Sequence, residues 1–379
     1  MTRVNVGLFC LCIFTFVSCQ LKPNYKQSML PTKKEVKDII INVNNHWQMT
    51  HVQQANAFWH TAAYHTGNLA AYKVTRMEAY KDYSIAWAQK NEWKGAKSTE
   101  RAAWRYSYGE SDEYVLFGDW QICFQVYADL YNMDKQEIRI ARAREVMEYQ
   151  MATPQNDYWW WADGLYMVMP VMTKMYQITG DRKYLDKLYD YFSYAYNLMY
   201  DDESKLFYRD AKYIYPKHKT KNGLKDFWAR GNGWVFAGLA KMLEELPSDD
   251  LHRNHYLQIY KELAKAIKNC QQTEGYWTRS MVDAQHAPGY ETSGTAFFAY
   301  GFLWGMNHGI LDPKEYDATA SLAWKYLVET AIQPDGKVGY VQPIGERADQ
   351  HDDVGPETTA DFGVGAFLLA ASEMHEYVK

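Results

Sequence analysis

Cysteine is scarce in this chain, and most of what there is lies at one end. Of five cysteines in 379 residues, Cys10, Cys12 and Cys19 fall within the first twenty positions. Only Cys123 and Cys270 remain, each in an apolar or helical stretch, which excludes a disulfide framework and predicts two free thiols. Beyond the leader no apolar run approaches the ~20 residues of a membrane-spanning helix. The 41 Lys and Arg residues against 46 Asp and Glu are dispersed, and the formal net charge is -5. That pattern excludes a nucleic-acid-binding face. The chain has no serine-nucleophile elbow, Walker loop, dinucleotide fingerprint or HExxH motif. His60 and His65 are five apart and do not share a helix face, while His252 and His255 lie in a polar helix start. Neither a metal site nor a cofactor is expected.

The leader, MTRVNVGLFCLCIFTFVSCQ, carries Arg3 ahead of an apolar run over 4–17 that is too short to span a bilayer. It reads as an export signal over 1–19. Phe16-Val17-Ser18-Cys19 loosely follows the bacterial lipoprotein pattern, which predicts lipidation at Cys19, with ordinary cleavage nearby as the alternative. The mature protein is then periplasmic or at the cell surface, touching a membrane only through that N-terminal lipid. Residues 20–379 are expected to form a single domain.

Aromatic residues are abundant, at 16% of the chain, with 14 Trp and 32 Tyr. Sugar clefts use such rings because the apolar face of a pyranose stacks on them while its hydroxyls need polar neighbours. Helix packing consumes aromatics too, so composition alone leaves both explanations standing.

Apolar positions recur at three- and four-residue steps, and alternating strand-like runs are few. The spacing predicts helices over 33–48, 56–72, 77–91, 119–132, 136–150, 162–178, 182–199, 233–246, 252–272, 292–309, 313–332 and 360–377. Segments rich in Gly, Ala and aromatics, such as DGLYMVMPVMTKMYQITG, alternate with amphipathic ones, such as RKYLDKLYDYFSYAYNLM. A helix that is apolar all round must be buried, and an amphipathic one covers it. The pattern predicts an all-α (α/α)6 barrel, a ring of six helical hairpins. Gly289-Tyr-Glu-Thr-Ser-Gly recurs as Gly355-Pro-Glu-Thr-Thr-Ala. This suggests two matching helix starts with Thr292 and Thr358 as N-caps and Glu291 and Glu357 at a cleft mouth, unless the repeat is only a capping device. The polar stretches 92–115, 200–227 and 336–356 read as loops between hairpins.

Asp163 stands directly after Trp159-Trp160-Trp161-Ala162, at the start of an apolar helix. Desolvation there disfavours the charged form, which suits a general acid, although an N-cap aspartate is the plainer alternative. Asp119, in Gly118-Asp119-Trp120-Gln121, opens another apolar stretch. Helix starts in a ring of hairpins converge on one end, so the two carboxyls are expected to face each other and push their protonation equilibria apart. In Trp228-Ala229-Arg230-Gly231-Asn232-Gly233-Trp234 an arginine sits between tryptophans among glycines, a combination suited to a carboxylate on a sugar. Tyr208-Arg209-Asp210 and Lys217-His218-Lys219 add cations for a second anion, or else form a solvated loop.

Trp160-Trp161-Ala162-Asp163-Gly164-Leu165-Tyr166-Met167 and Trp228-Ala229-Arg230-Gly231-Asn232-Gly233-Trp234 together resemble glycoside hydrolase family 105, the unsaturated rhamnogalacturonyl and related uronyl hydrolases, kin to family 88. Weaker likeness runs through 59–67, 119–131, 206–210, 289–294 and 363–370. The resemblance implies an (α/α)6 barrel and an anionic oligosaccharide substrate ending in a 4,5-unsaturated uronate. It implies that Asp163 protonates C4 and then helps water add at C5, after which the hemiketal rearranges with loss of the aglycone. Asp119 matches the second family aspartate. Arg230, Trp228 and Trp234 match positions around the uronate, and Trp159, Arg209 and His218 join them as expected substrate contacts. Pectin-acting members carry a histidine shortly before the acid, whereas 151–158 has none, so an ulvan-derived, sulfated partner is the preferred expectation over rhamnogalacturonan. Three rivals remain. A sugar isomerase would need histidine bases in the cleft, a conventional inverting hydrolase would space its carboxyls for an intervening water, and a glycan-binding lipoprotein would gain nothing from two acids beside an anionic sugar.

Overall fold

The computed structural model describes residues 30–53 and 55–378. The leader and Cys19 lie outside the described residues. Six mostly buried helices form an inner ring: α2 (Trp59–Thr75), α4–α5 (Gly118–Gln121 and Cys123–Met133), α7 (Ala162–Thr179), α9 (Ala229–Glu245), α11 (Thr292–Asn307) and α13 (Asp361–Tyr377). Each packs on the next, and α13 closes back on α2. The outer helices are α1 (Lys33–Thr50), α3 (Glu78–Lys90), α6 (Ala141–Ala152), α8 (Lys183–Met199), α10 (Arg253–Asn269) and α12 (Pro313–Tyr326). The expected (α/α)6 barrel is the fold observed.

Pattern explains which helix goes where. In α11 every residue from Thr292 to Met306 is buried, so solvent has no face to occupy. In α8 the buried set is Tyr184, Leu185, Leu188, Tyr191, Phe192, Ala195 and Met199, a single stripe that lies on α7. Where α13 meets α2, Gly67 and Gly365 let two backbones touch, and a Cβ on either would land on the other's main chain. Both Cys123 and Cys270 are free thiols.

Alternating outer and inner helices bring the six inner N-termini to one end of the barrel. Three of them start in the same way. The residue before α7, Trp161, pairs with Asp210 in an isolated bridge, and Ala162 N–H donates to the Arg209 carbonyl at 2.8 Å. Trp228 likewise bridges Ser280, with Ala229 N–H donating to Arg279 O at 2.8 Å, and Thr292 N–H donates to Tyr340 O at 2.9 Å. Each of these three inner helices is thus tied to the loop that leads to the next one. A short antiparallel hairpin, β1 (Tyr200–Asp201) with β2 (Leu206–Phe207), delivers Arg209 to this position.

The repeated Gly-x-Glu-Thr motif does not act as expected. Glu291 is itself the N-cap of α11. Its carboxylate accepts from Ser293 N–H at 2.9 Å and Gly294 N–H at 2.7 Å, and it is buried rather than facing a cleft. Thr292 is already helical and donates to Gly339 O at 2.8 Å. In the second copy, Thr358 donates to Gly355 O inside a turn, Glu357 is exposed, and α13 begins three residues later at Asp361. The sequence repeats, but the chain leaves each copy in a different direction.

Candidate active site

Asp119 sits in the first turn of α4 and Asp163 in the first turn of α7, neighbouring inner helices whose starts share the mouth. Both carboxyls are buried, at 6% and 8% exposed, which decides that neither is a solvated surface acid. Burial raises the Asp163 pKa above the usual carboxyl range, opposed by the Arg209 and Arg230 charges. Burial raises Asp119 further, and the Asp163 charge adds to that. Two buried acids therefore share this end, both held above the usual carboxyl range, and they titrate as a pair. Asp163 Oδ2 is buried without a hydrogen-bond partner, and its approach to Arg209 Nε is 3.7 Å. A buried carboxyl oxygen with a donor nearby but unbonded is poised for a reacting partner.

Arg209 reaches the site through the hairpin and the Ala162 tie. Its Nη1 donates to Asp210 at 2.6 Å and stands 3.5 Å from Glu346, while its guanidinium lies over Trp160 at 5.9 Å. Burial disfavours its charge, but Asp163, Asp210 and Glu346 outweigh burial and hold the pKa above the ordinary value. Lys212 joins Glu346 at 2.7 Å and closes this cluster at the rim.

Several expected substrate contacts are buried or hydrogen-bonded within the protein. Trp234 is fully buried in the barrel core against Phe297 at 4.3 Å and Tyr166 at 4.8 Å. Trp159 is buried against Tyr191 of α8 at 5.2 Å. Trp228 is closed off as well, because its Nε1 donates to Gln342 Oε1 at 2.8 Å and Arg230 covers its ring at 4.5 Å. Arg230 does lie near Asp163 but is committed: its Nη atoms donate to Gln342 O at 2.6 Å and Pro343 O at 2.8 Å, and burial lowers its pKa to about 10. His218 is paired with Asp226 at 3.0 Å, and Ser280 donates to the other oxygen of that carboxylate at 2.9 Å. Trp228 and Arg230, at the start of α9, spend their ring surface and hydrogen bonds on closing the loops around that helix start.

Other side chains near the helix starts are exposed or half-exposed. The stretch before α7 is extended, so Trp159 and Trp161 point inward and Trp160, between them, is half-exposed. Trp59 at the start of α2 is half-exposed and stacks near Phe362 at 5.1 Å. Tyr108 stands exposed above the site, donates to Glu110 at 2.7 Å, and lies within reach of the Asp119 and Arg209 charges. His60, also on α2, pairs with Asp361 of α13 at 2.5 Å. Strand-like alternation in the tryptophan triplet was a sequence signal for Trp160. No local signal joins His60 to a residue 301 positions away.

The profile of Glycosyl Hydrolase Family 88 matches residues 28–378. This chain belongs to glycosyl hydrolase family 88. It is 32% identical over 340 residues to an unsaturated 3S-rhamnoglycuronyl hydrolase of Formosa agariphila, covering 86% of this chain and 87% of that one. A solved structure named a polysaccharide lyase is 62% identical with a TM-score of 0.89, covering 91% of this chain and 98% of its own. A family 88 glycosyl hydrolase from Bacteroides vulgatus is 55% identical with a TM-score of 0.90, covering 92% and 100%. As a family 88 member the chain is a glycoside hydrolase acting on unsaturated uronides.

Proposed function

We propose that this enzyme removes a 4,5-unsaturated glucuronyl residue from the non-reducing end of ulvan-derived oligosaccharides, with Asp163 as acid/base and Asp119 as its partner. The observation that carries this is the pair of buried carboxyls at the barrel mouth, one of them with an oxygen left unbonded. Substrate binding brings a second anion beside Asp163, which favours its protonated form further. Its proton passes to C4 as the C4=C5 π electrons form the new C–H bond, and positive charge develops at C5, shared with the ring oxygen. Water then adds at C5 and returns a proton to the Asp163 carboxylate. The resulting hemiketal opens, and the aglycone leaves. Trp160, and Trp59 across the mouth, supply stacking faces.

The ulvan assignment rests on the substrate class named for the Formosa agariphila relative and on the lack of a histidine at 151–158. Rhamnogalacturonan is the second reading. A third comes from the lyase-named structure at 62% identity, since a lyase would create the double bond that a hydrolase removes. One assay separates all three: the ultraviolet absorbance of the enol-carboxylate, followed on lyase digests of ulvan and of rhamnogalacturonan and on the intact polymers. A fall on the ulvan digest supports the proposal. A fall only on the rhamnogalacturonan digest moves the substrate to pectin, and a rise on intact polymer establishes a lyase. Export and lipidation at Cys19 complete the proposed setting, checked by incorporation of labelled fatty acid that Cys19→Ala abolishes.

A further inference from the structure

The carboxylate of an unsaturated uronate needs a hydrogen-bond donor close to the acid that protonates its neighbouring carbon. Most of the donors near the mouth that the sequence points to are already used or closed off. Arg230 spends its Nη atoms on Gln342 and Pro343, the Trp228 indole is held by Gln342, Trp234 is fully buried, and His218 is paired with Asp226. Arg209 is ringed by Asp163, Asp210 and Glu346, and its Nε, like that of Arg230, is buried within the protein without a hydrogen bond.

His60 is different. It sits in the first turn of α2, and Asp361 sits in the first turn of α13, the helix that stands across the ring from α7. Nδ1 donates to Asp361 Oδ2 at 2.5 Å, and Thr61 Oγ1 donates to the same oxygen at 3.3 Å, which holds that carboxylate oxygen beside the ring. Nε2 has no hydrogen-bond partner among the described residues, and the side chain is 29% exposed. Two carboxylates face this ring, Asp361 from α13 and Glu110 from the loop before α4. Burial disfavours the imidazolium, but Asp361 and then Glu110 outweigh burial, and the pKa lies above the ordinary histidine value. The ring therefore keeps its Nε2 proton to higher pH than a free histidine.

We infer that His60, oriented by Asp361, is the residue whose Nε2–H receives the carboxylate of the unsaturated uronate. This rests on the uronyl-hydrolase reading above. Asp361 is a positioning residue that acts through the imidazole, while His60 touches substrate. The contact is present in both the ground state and the transition state, so its loss raises KM more than it lowers kcat.

The test compares wild type, His60→Gln and Asp361→Asn on a lyase-generated unsaturated disaccharide and on its C6 carboxamide, by turnover and by calorimetric binding to the Asp163→Asn background. The expected result for His60→Gln is a KM roughly 10-fold or more above wild type on the carboxylate, kcat within about 3-fold, and no remaining preference over the carboxamide. Asp361→Asn is expected to bind normally at acidic pH but to lose affinity at a lower pH than wild type does, because the group that raises the imidazole pKa is gone. A protein merely loosened at this corner shows neither the lost discrimination nor the shifted pH limb. His60→Gln with wild-type affinity and discrimination overturns the inference, as does Asp361→Asn with an unmoved limb. If wild type turns over neither substrate, the hydrolase reading fails by itself, and the binding arm still decides for or against His60.

Discussion

The two ends of the barrel both hold buried charge, but they treat it in opposite ways. At the end where the inner helices finish, Lys174 donates to Asp129 and to Glu245, each at 2.5 Å, and Glu373 accepts from Asn307 at 2.7 Å. A cavity of about 320 Å³ opens there, lined by Lys73, Lys241, Glu244 and Glu373 among others. Burial raises Glu373 to about 7 and lowers Lys241 to about 8, but the acids of the Lys174 cluster have their donors. At the end where the inner helices start, Asp163 keeps an unbonded buried oxygen and Asp119 is pushed further toward its neutral form by its neighbour. Leaving a buried carboxyl unpaired costs stability, and a fold keeps such a group where it acts. Around Lys174 the buried charges are paired with one another, whereas at the other end the buried Asp163 keeps an oxygen without a hydrogen bond.

That contrast is open to direct attack. The largest expected effect is on activity. Asp163→Asn should lower kcat by about 10³-fold or more, since it removes the proton donor while keeping the side-chain shape. Stability should respond in the opposite order at the two ends. Lys174→Met strands two carboxylates and should cost about 3 kcal/mol in denaturant unfolding, with kcat per folded molecule unchanged. Asp119→Asn should stabilise instead, and more so at alkaline pH. The folded-state pKa of Asp119 is raised, so its stability contribution is full below the unfolded value and is lost as pH rises through the folded value. Melting curves on either side of neutrality check the sign. If Lys174→Met proves neutral and Asp119→Asn destabilises at high pH, the comparison of the two ends is wrong.

The tryptophan triplet gives a finer division within the reactive end. Trp159→Ala should cost about 3–5 kcal/mol of stability as a buried ring is lost. Trp160→Ala should leave the melting temperature near wild type and raise KM roughly 10-fold. Smallest of all is the effect of Arg209→Gln on the pH profile. Arg209 lowers the pKa of Asp163, so its removal should move the alkaline limb of kcat/KM to higher pH.

Most of the helices could be read from the sequence because their apolar spacing is strong and the ring forces inner and outer segments to differ in character. The helix predicted over 119–132 continues across Ile122, and the one over 313–332 ends in a widened turn at Leu327–Ala331, so even the irregular ends were near their places. Asp119 and Asp163 were legible as residues at helix starts, which the barrel gathers whatever their neighbours are. What the residue order could not convey was which donors were already spoken for. Arg230, Trp228 and His218 look like free ligands until Gln342, Pro343 and Asp226 are folded against them. The reverse held for His60, which gained its role from Asp361 at the far end of the chain.

The central claim is that Asp163 delivers its proton to C4 of the substrate. Turnover in deuterium oxide, with the early product read by nuclear magnetic resonance, tests it most directly. The account predicts one deuteron on a single face of C4 in the product of the wild-type enzyme, and no product from Asp163→Asn. Cleavage that yields the free unsaturated uronate with C4 unlabelled, or labelled equally on both faces by later tautomerisation, would contradict it and leave an ordinary glycosidic hydrolysis in its place.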